Sequence, residues 1–296
     1  MKPKRRHPQY ITVLGCVLAA CAAVLVTYSL FTASATRLIH TEPSKFAPVL
    51  VFEEYGERCM NFDEIESYGR QTCVDLDEPD KMVFAYTRMM TSALFVKPKP
   101  RNVLIIGLGG ATIPRALEKI LPDAVIDTVE IDPAVVRVAE RFFGYKQGLR
   151  QRVFVEDGRA FVERAHRDGR KYDMVMLDAF DVDYIPAHLL TVEFLHHVYA
   201  ILSPDGVLVA NTFTNSRMYD QESVTYAAVF GDFFNLRAGN RVIIATRGDL
   251  PSDEALAQNA SALAKTLAPF GIDAMRELQR YSRARDWNEG AAVLTD

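Results

Sequence analysis

The sequence predicts an α/β protein: a doubly wound sheet of parallel strands with helices on both faces, preceded by a small N-terminal β-rich lobe and by one transmembrane helix. Three observations carry that expectation. Continuous apolar runs of strand length alternate with segments of helical apolar spacing from Val103 onward, shorter segments of strand-like alternation come before them, and an uncharged stretch from Pro8 to Thr36 opens the chain.

The opening stretch is dominated from Ile11 to Phe31 by Val, Leu, Ala and Ile, and about 20 such residues cross the ~30 Å hydrocarbon layer. Residues 1–9 form a basic flank with Lys2, Lys4, Arg5 and Arg6, and residues 10–32 are expected to form a single-pass membrane anchor. Positive-inside bias leaves the N-terminus in the cytoplasm and the body on the far side. Two cleavage readings compete with the anchor: Ala33-Ser34-Ala35 resembles a signal-peptidase site, and Leu18-Ala19-Ala20-Cys21 resembles a lipoprotein box. The apolar run is long for a removable segment and continues past Cys21.

The whole chain of 296 residues is 49% hydrophobic and 24% charged, ample apolar material for a packed core and incompatible with a disordered chain. Its formal net charge is −4, and beyond the basic flank the balance is more acidic still. A body of that sign repels phosphate backbones and attracts cationic small molecules, so nucleic acid is not an expected partner. Cys16 and Cys21 fall in the apolar stretch, leaving Cys59 and Cys73 for the body. Without CxxC spacing they make no zinc site. They could pair if the body faces an oxidising compartment; two unpaired, partly buried thiols are the favoured expectation.

Residues 47–80 read as the β-rich lobe. Val49 to Phe62 alternates Val, Phe, Cys and Met, broken by Tyr55-Gly56, and Arg70 to Asp77 is a second extended segment. Spacing turns helical over Lys81 to Phe95, with Tyr86, Met89, Met90 and Leu94 on one side, and Lys97-Pro98-Lys99-Pro100 punctuates the chain. Strands then follow at Val103 to Ile106, Val125 to Val129, Val153 to Val155, Tyr172 to Leu177, Val207 to Ala210 and Arg241 to Thr246. Helices separate them at Ile113 to Ile120, Pro133 to Phe143, Ala160 to Arg167 and Val192 to Leu202. Residues 81–250 are thus one sheet domain, and 251–296 a helical extension opening with a helix over Asp253 to Leu267.

Ligands of such sheets bind beyond the carboxyl ends of the strands, so those ends hold the candidate site. The first strand ends in Gly107-Leu108-Gly109-Gly110-Ala111-Thr112, a loop that lets a ligand approach the backbone before a helix begins. The second ends in Glu130-Ile131-Asp132-Pro133, where Asp132 suits the N-cap and Glu130 stands about 20 residues past the glycine loop, the distance at which an acid accepts both hydroxyls of a ribose. The absence of GxGxxG makes NAD the weaker ligand. The third strand ends in Glu156-Asp157-Gly158, where Asp157 either accepts from an adenine amine or caps the following helix. The fourth ends in Asp178-Ala179-Phe180-Asp181-Val182-Asp183-Tyr184, three acids whose mutual repulsion raises at least one pKa unless a cation joins them.

Taken together, Val103-Leu104-Ile105-Ile106-Gly107-Leu108-Gly109-Gly110, Val129-Glu130-Ile131-Asp132, Asp157-Gly158 and Tyr172 to Asp181 resemble the polyamine aminopropyltransferases, the spermidine synthase family, over roughly residues 47–247. A generic methyltransferase shares the glycine loop and Glu130 but neither the D-x-x-D after the fourth strand nor the preceding lobe. The resemblance implies a Rossmann-like domain of the class I methyltransferase type. It also implies a decarboxylated S-adenosylmethionine co-substrate, a diamine acceptor such as putrescine, 5′-methylthioadenosine as by-product, no permanently bound cofactor, no metal and a possible homodimer. It assigns Asp178 as the base, Gly107, Gly109, Gly110, Glu130, Asp157 and Gly158 to the donor, and Asp181, Asp183, Tyr86 and Tyr184 to the amine. A donor made in the cytosol favours a cytoplasmic body, against the charge bias of the anchor. An intact S-adenosylmethionine donor, or amine or nucleoside binding without catalysis, are the alternatives.

This sequence departs from the resembled pattern at the amine-binding positions. The glycine loop is one residue short and carries Gly110-Ala111 where an acid is usual; Tyr86-Thr87-Arg88 stands for Tyr-His-Glu or Tyr-Gln-Glu; and Ala47 takes the place of a glutamine. Arg88 brings a positive charge toward a polycation unless it turns away.

Overall fold

The computed structural model describes residues 36–63, 70–180 and 184–296. Two sheets organise them. The first is an antiparallel meander of β1 (Arg37–Glu42), β2 (Val49–Glu54), β3 (Glu57–Phe62) and β4 (Thr72–Asp75). Tyr55 and Gly56 both take positive φ, the geometry of a two-residue hairpin, and so join β2 to β3 where the sequence breaks its alternation. The strand β1 begins ahead of residue 47 and was not foreseen; its exposed, polar composition gives little apolar alternation.

The second sheet comprises β5 (Asn102–Ile106), β6 (Val125–Glu130), β7 (Gln151–Val155), β8 (Tyr172–Leu177), β9 (Leu202–Phe213), β10 (Phe233–Ala238) and β11 (Asn240–Thr246), in the order β10-β11-β9-β8-β5-β6-β7. Five strands are parallel as expected, whereas β10 and β11 add antiparallel to the edge, so the sheet is mixed. Its helices are α1 (Ala85–Thr91), α2 (Thr112–Ile120), α3 (Pro133–Phe142), α4 (Gly158–Arg167), α5 (Val192–Ile201), α6 (Tyr219–Phe230), α7 (Asp253–Leu267) and α8 (Ala274–Leu278). The helix α6 buries Glu222, Ser223 and Thr225 beside Val224 and Tyr226, which hides its periodicity from a sequence reading.

The unbroken apolar runs have a direct cause. Val103, Ile105, Met174, Met176, Val207 and Val209 face one core, with α2 and α7, while Leu104, Ile106, Val175, Leu177, Leu208 and Ala210 face the other, with α4 and α5. A strand covered on both faces has no position left for a polar alternation. Strand order reverses at β5, which lies between β8 and β6, so the carboxyl ends of β5, β6 and β8 border the crevice.

Beside that crevice the meander and its first loop are tied to α3 and its N-cap. Arg58 Nη1 donates to the Phe142 carbonyl at 3.0 Å, Ser44 Oγ to Asp132 Oδ2 at 2.5 Å, and Arg137 Nε to Glu42 Oε1 at 2.7 Å.

Cys59 and Cys73, facing each other across β3 and β4, form a disulfide rather than the two free thiols expected, because antiparallel pairing brings their Cα atoms to 4.0 Å. The single-pass membrane anchor is not supported either. Residues 10–32 lie outside the described residues, and among those described no helix is long and apolar enough to cross a membrane. The helix α7, with 15 residues, reaches about 22 Å, short of the ~30 Å required.

Candidate active site

One cavity opens at the carboxyl ends of β5, β6, β7 and β8, and the meander roofs it with Phe62, Gln71 and Thr72. Eight of the residues singled out from the sequence line it: Gly107, Gly109, Gly110, Glu130, Asp157, Gly158, Asp178 and Tyr86. Tyr184 stands apart from that lining, and Asp181 and Asp183 lie outside the described residues.

The glycine loop is shaped by close backbone passage. Gly107 has φ +100°, and a Cβ there would lie 2.2 Å from the Asp178 carbonyl oxygen, so β5 and β8 could not approach at this point with any other residue. The Asp178 N–H in turn donates to Ile106 O at 2.8 Å. Gly110 is hemmed in differently, since a Cβ would fall 2.6 Å from Thr72 Cγ2 and 3.1 Å from Phe143 Cδ1. The roof therefore occupies the space a loop acid's side chain would need at this position.

Glu130 is held by the loop it faces. Its Oε2 accepts from the Leu108 N–H and its Oε1 from the Asp132 N–H, each at 3.0 Å. Burial raises its pKa, and these amide donors pull it back only in part. The Gly109 amide adds a third, smallest contribution in the same direction. Asp132 fulfils the expected capping role, accepting from Ala134 N at 2.8 Å.

Asp157 does two things at once. Its Oδ1 caps α4 through Ala160 N at 2.9 Å, and its Oδ2 lies 2.9 Å from His188 Nε2. Burial pushes its pKa up, but the helix amide and the imidazole outweigh burial and leave it lowered.

Asp178 has the opposite fate. Protein encloses it except toward the cavity, and burial pushes its pKa up to about 7, moderated by one N–H from Asn211 Nδ2 at 2.9 Å. Tyr86, half-buried on the facing α1, has its phenol pKa raised by desolvation and by the charge of Asp178. Phe180 closes the wall, packed edge-on to Phe213 at 5.2 Å between centroids. Behind it Tyr184 stacks on Phe213 at 5.6 Å and donates to the buried Glu222. Arg88 turns away from the cavity, donating to the Val83 carbonyl at 3.1 Å and to that of Met82, with Glu277 as its counter-charge.

Gln71, Thr72, His188 and Asn211 escaped the sequence reading. For Asn211 the signal was present: it ends the apolar run of β9 level with Asp178 at the end of β8, since Leu177 pairs with Ala210. The others belong to loops and to a short strand whose placement depends on tertiary contact.

With this geometry in place, the comparisons decide the family. The profile of the spermine/spermidine synthase domain matches residues 83–237. The chain belongs to the spermine/spermidine synthase family. A polyamine aminopropyltransferase of Vibrio vulnificus is 42% identical over 280 residues, covering 93% of this chain and 94% of the relative. The structure of a probable spermidine synthase from Corynebacterium glutamicum superposes with a TM-score of 0.66 at 18% identity, covering 87% of this chain and 96% of that one. A spermidine synthase in complex with the transition-state analogue AdoDATO gives 0.63 at 19% identity, covering 83% and 84%. At those identities the structural likeness shows the Rossmann-like fold; the family profile and the Vibrio relative make the chain a transferase enzyme of the aminopropyltransferase type.

Proposed function

We propose that this chain transfers an aminopropyl group from decarboxylated S-adenosylmethionine to putrescine or a related amine, with release of 5′-methylthioadenosine. The observation that carries this reading is the convergence of Glu130 and Asp178, from strands on either side of β5, on one cavity. In this reading residues 81–250 form the donor-binding catalytic domain, 47–80 its roof and 251–296 a helical extension.

Glu130 accepts the ribose hydroxyls, while Gly107, Gly109 and Gly110 let the nucleoside lie against the loop. Asp157 receives the adenine amine at its Oδ2, in competition with His188, and Gly158 opens the helix beside it. The acceptor enters as an ammonium ion and cannot attack until it loses a proton. Asp178, with a pKa near neutrality, takes that proton, matching the condition for an efficient general base. The freed nitrogen lone pair forms a bond to the propyl carbon next to the sulfonium. The carbon–sulfur bond breaks, its electron pair stays on sulfur, and the neutral thioether leaves. Positioning supplies much of the acceleration in such a displacement. Tyr86 and Phe180 offer π faces to the sulfonium and alkylammonium groups, and Asp181 and Asp183 are assigned to the charge of the acceptor, whereas Tyr184, behind Phe180 and bonded to Glu222, is left without that role.

The crowding at Gly110 bears on the donor. With Thr72 against the loop, the propylamine of the donor has no loop acid to bind, which is the observation favouring intact S-adenosylmethionine as a second reading. Calorimetric titration with both donors, alongside a mass-spectrometric assay of methylthioadenosine release with a panel of diamines, tests the proposal. Release with the decarboxylated donor supports it, and preferential binding of the intact donor without release contradicts it.

A further inference from the structure

Asp178 reaches beyond the cavity into a relay of two amides. Asn211, 3% exposed at the end of β9, donates from Nδ2 to Asp178 Oδ1 at 2.9 Å. Its own Oδ1 accepts from Asn240 Nδ2 at 3.1 Å. Asn240 opens β11, opposite Phe213 of β9, directly after Gly239, whose carbonyl accepts from Thr214 Oγ1 and pins the hairpin to the neighbouring strand.

An asparagine amide has a donor end and an acceptor end, and an ionised carboxylate only accepts. Asn211 therefore stabilises the ionised base in one of its two amide orientations and repels it in the other. Its orientation is set by what the other end meets, and Asn240 presents a donor there. We propose that Asn240 is a positioning residue that acts through Asn211: by fixing the amide of Asn211, it keeps Oδ1 of Asp178 occupied and turns Oδ2 to the cavity as the proton-accepting atom. The inference rests on the reading of Asp178 as the base.

The ionisation of Asp178 supplies the readout, because an N–H bonded to the carboxylate opposes the upward pull of burial. The other titratable groups lining the cavity with the carboxylate are Tyr86 on α1, and Glu130, Asp157 and the His188 imidazole that Asp157 holds. Arg88 of α1 turns its guanidinium away, and that of Arg241, next to Asn240, is taken up by Asn235 and Ser223. Asp181 and Asp183 lie outside the described residues and are common to every variant below. None of these is altered by a change at Asn240.

The test uses the full chain with Asn240→Ala, Asn211→Leu and the double variant. Thermal unfolding confirms that each is folded; Asn240 is half-buried at a hairpin, so its variant remains informative if Asn211→Leu does not fold. The acid limb of kcat/KM is expected to rise by roughly half to one pH unit in Asn240→Ala and by more in Asn211→Leu, with methylthioadenosine affinity unchanged. Adding Asn240→Ala to Asn211→Leu should shift the limb no further, the non-additivity expected of a residue acting through its neighbour. A limb that stays in place in Asn240→Ala, or shifts that simply add, overturns the proposal. Carboxyl-labelled NMR titration of Asp178 gives the same comparison without turnover, so failure of the aminopropyl-transfer reading is distinguishable from failure of the relay.

Discussion

The two aspartates at the ends of the cavity are treated in opposite ways. At the end assigned to the adenosine, Asp157 and Glu130 are tied to backbone N–H groups a few residues away or across one loop; Asp157 is held more acidic than usual, whereas burial raises Glu130. At the acceptor end Asp178 takes a single amide donor, from a strand formed more than thirty residues later, and its proton affinity rises to the neutral range. One cavity thus separates a charge that binds from a charge that titrates, and the separation comes from which groups solvate each carboxylate.

Breaking the titrating end has the largest expected effect. Asp178→Asn should reduce the rate of methylthioadenosine release about 1000-fold, within the range for loss of a general base, while leaving affinity for methylthioadenosine within a few-fold. Glu130→Gln should do the reverse, weakening donor affinity by roughly 10- to 100-fold because a charge-assisted pair of hydroxyl bonds is lost, with the smaller effect on kcat. A stability measurement sharpens the contrast further. A carboxyl whose folded pKa lies above its unfolded value destabilises the fold once it must ionise, a cost absent near pH 4 and complete above pH ~7. Asp178→Asn should therefore unfold at higher temperature than the wild type at pH 8, by an amount corresponding to about 1–3 kcal/mol, with the gap closing toward pH 4 in calorimetric scans. Asp157→Asn, which keeps an N-cap, should change stability little and weaken donor binding by about tenfold or less, measured by titration calorimetry.

The same asymmetry governs what the sequence could reveal. The adenosine end is local: a glycine loop following an apolar strand, an acid about 20 residues on, an Asp-Gly at a helix start. Each is a short pattern with a steric or hydrogen-bonding cause, and Gly107 shows how strict that cause is. The acceptor end is assembled from α1, β8, β9 and β11, so Asp178 was legible from its strand end, whereas its partners Asn211 and Asn240 depend on strand pairing that no spacing announces. Arg88, threatening as a sequence feature, is harmless because two backbone carbonyls and Glu277 draw it outward. The disulfide belongs to the same class: it follows from antiparallel register between β3 and β4, which the sequence suggested as extended segments without fixing their partners, while β1 carries too little apolar alternation to announce itself at all.

The pH dependence of kcat/KM for methylthioadenosine release tests the opposition between the two ends most directly. The wild type is expected to gain activity as pH rises through about 7, where Asp178 loses its proton, and to level off above it. Glu130→Gln should lower the plateau without moving that limb. An activity limb near the ordinary carboxylate range of about 4, or a limb near 7 that persists in the residual activity of Asp178→Asn, would contradict the assignment of the titrating charge to Asp178.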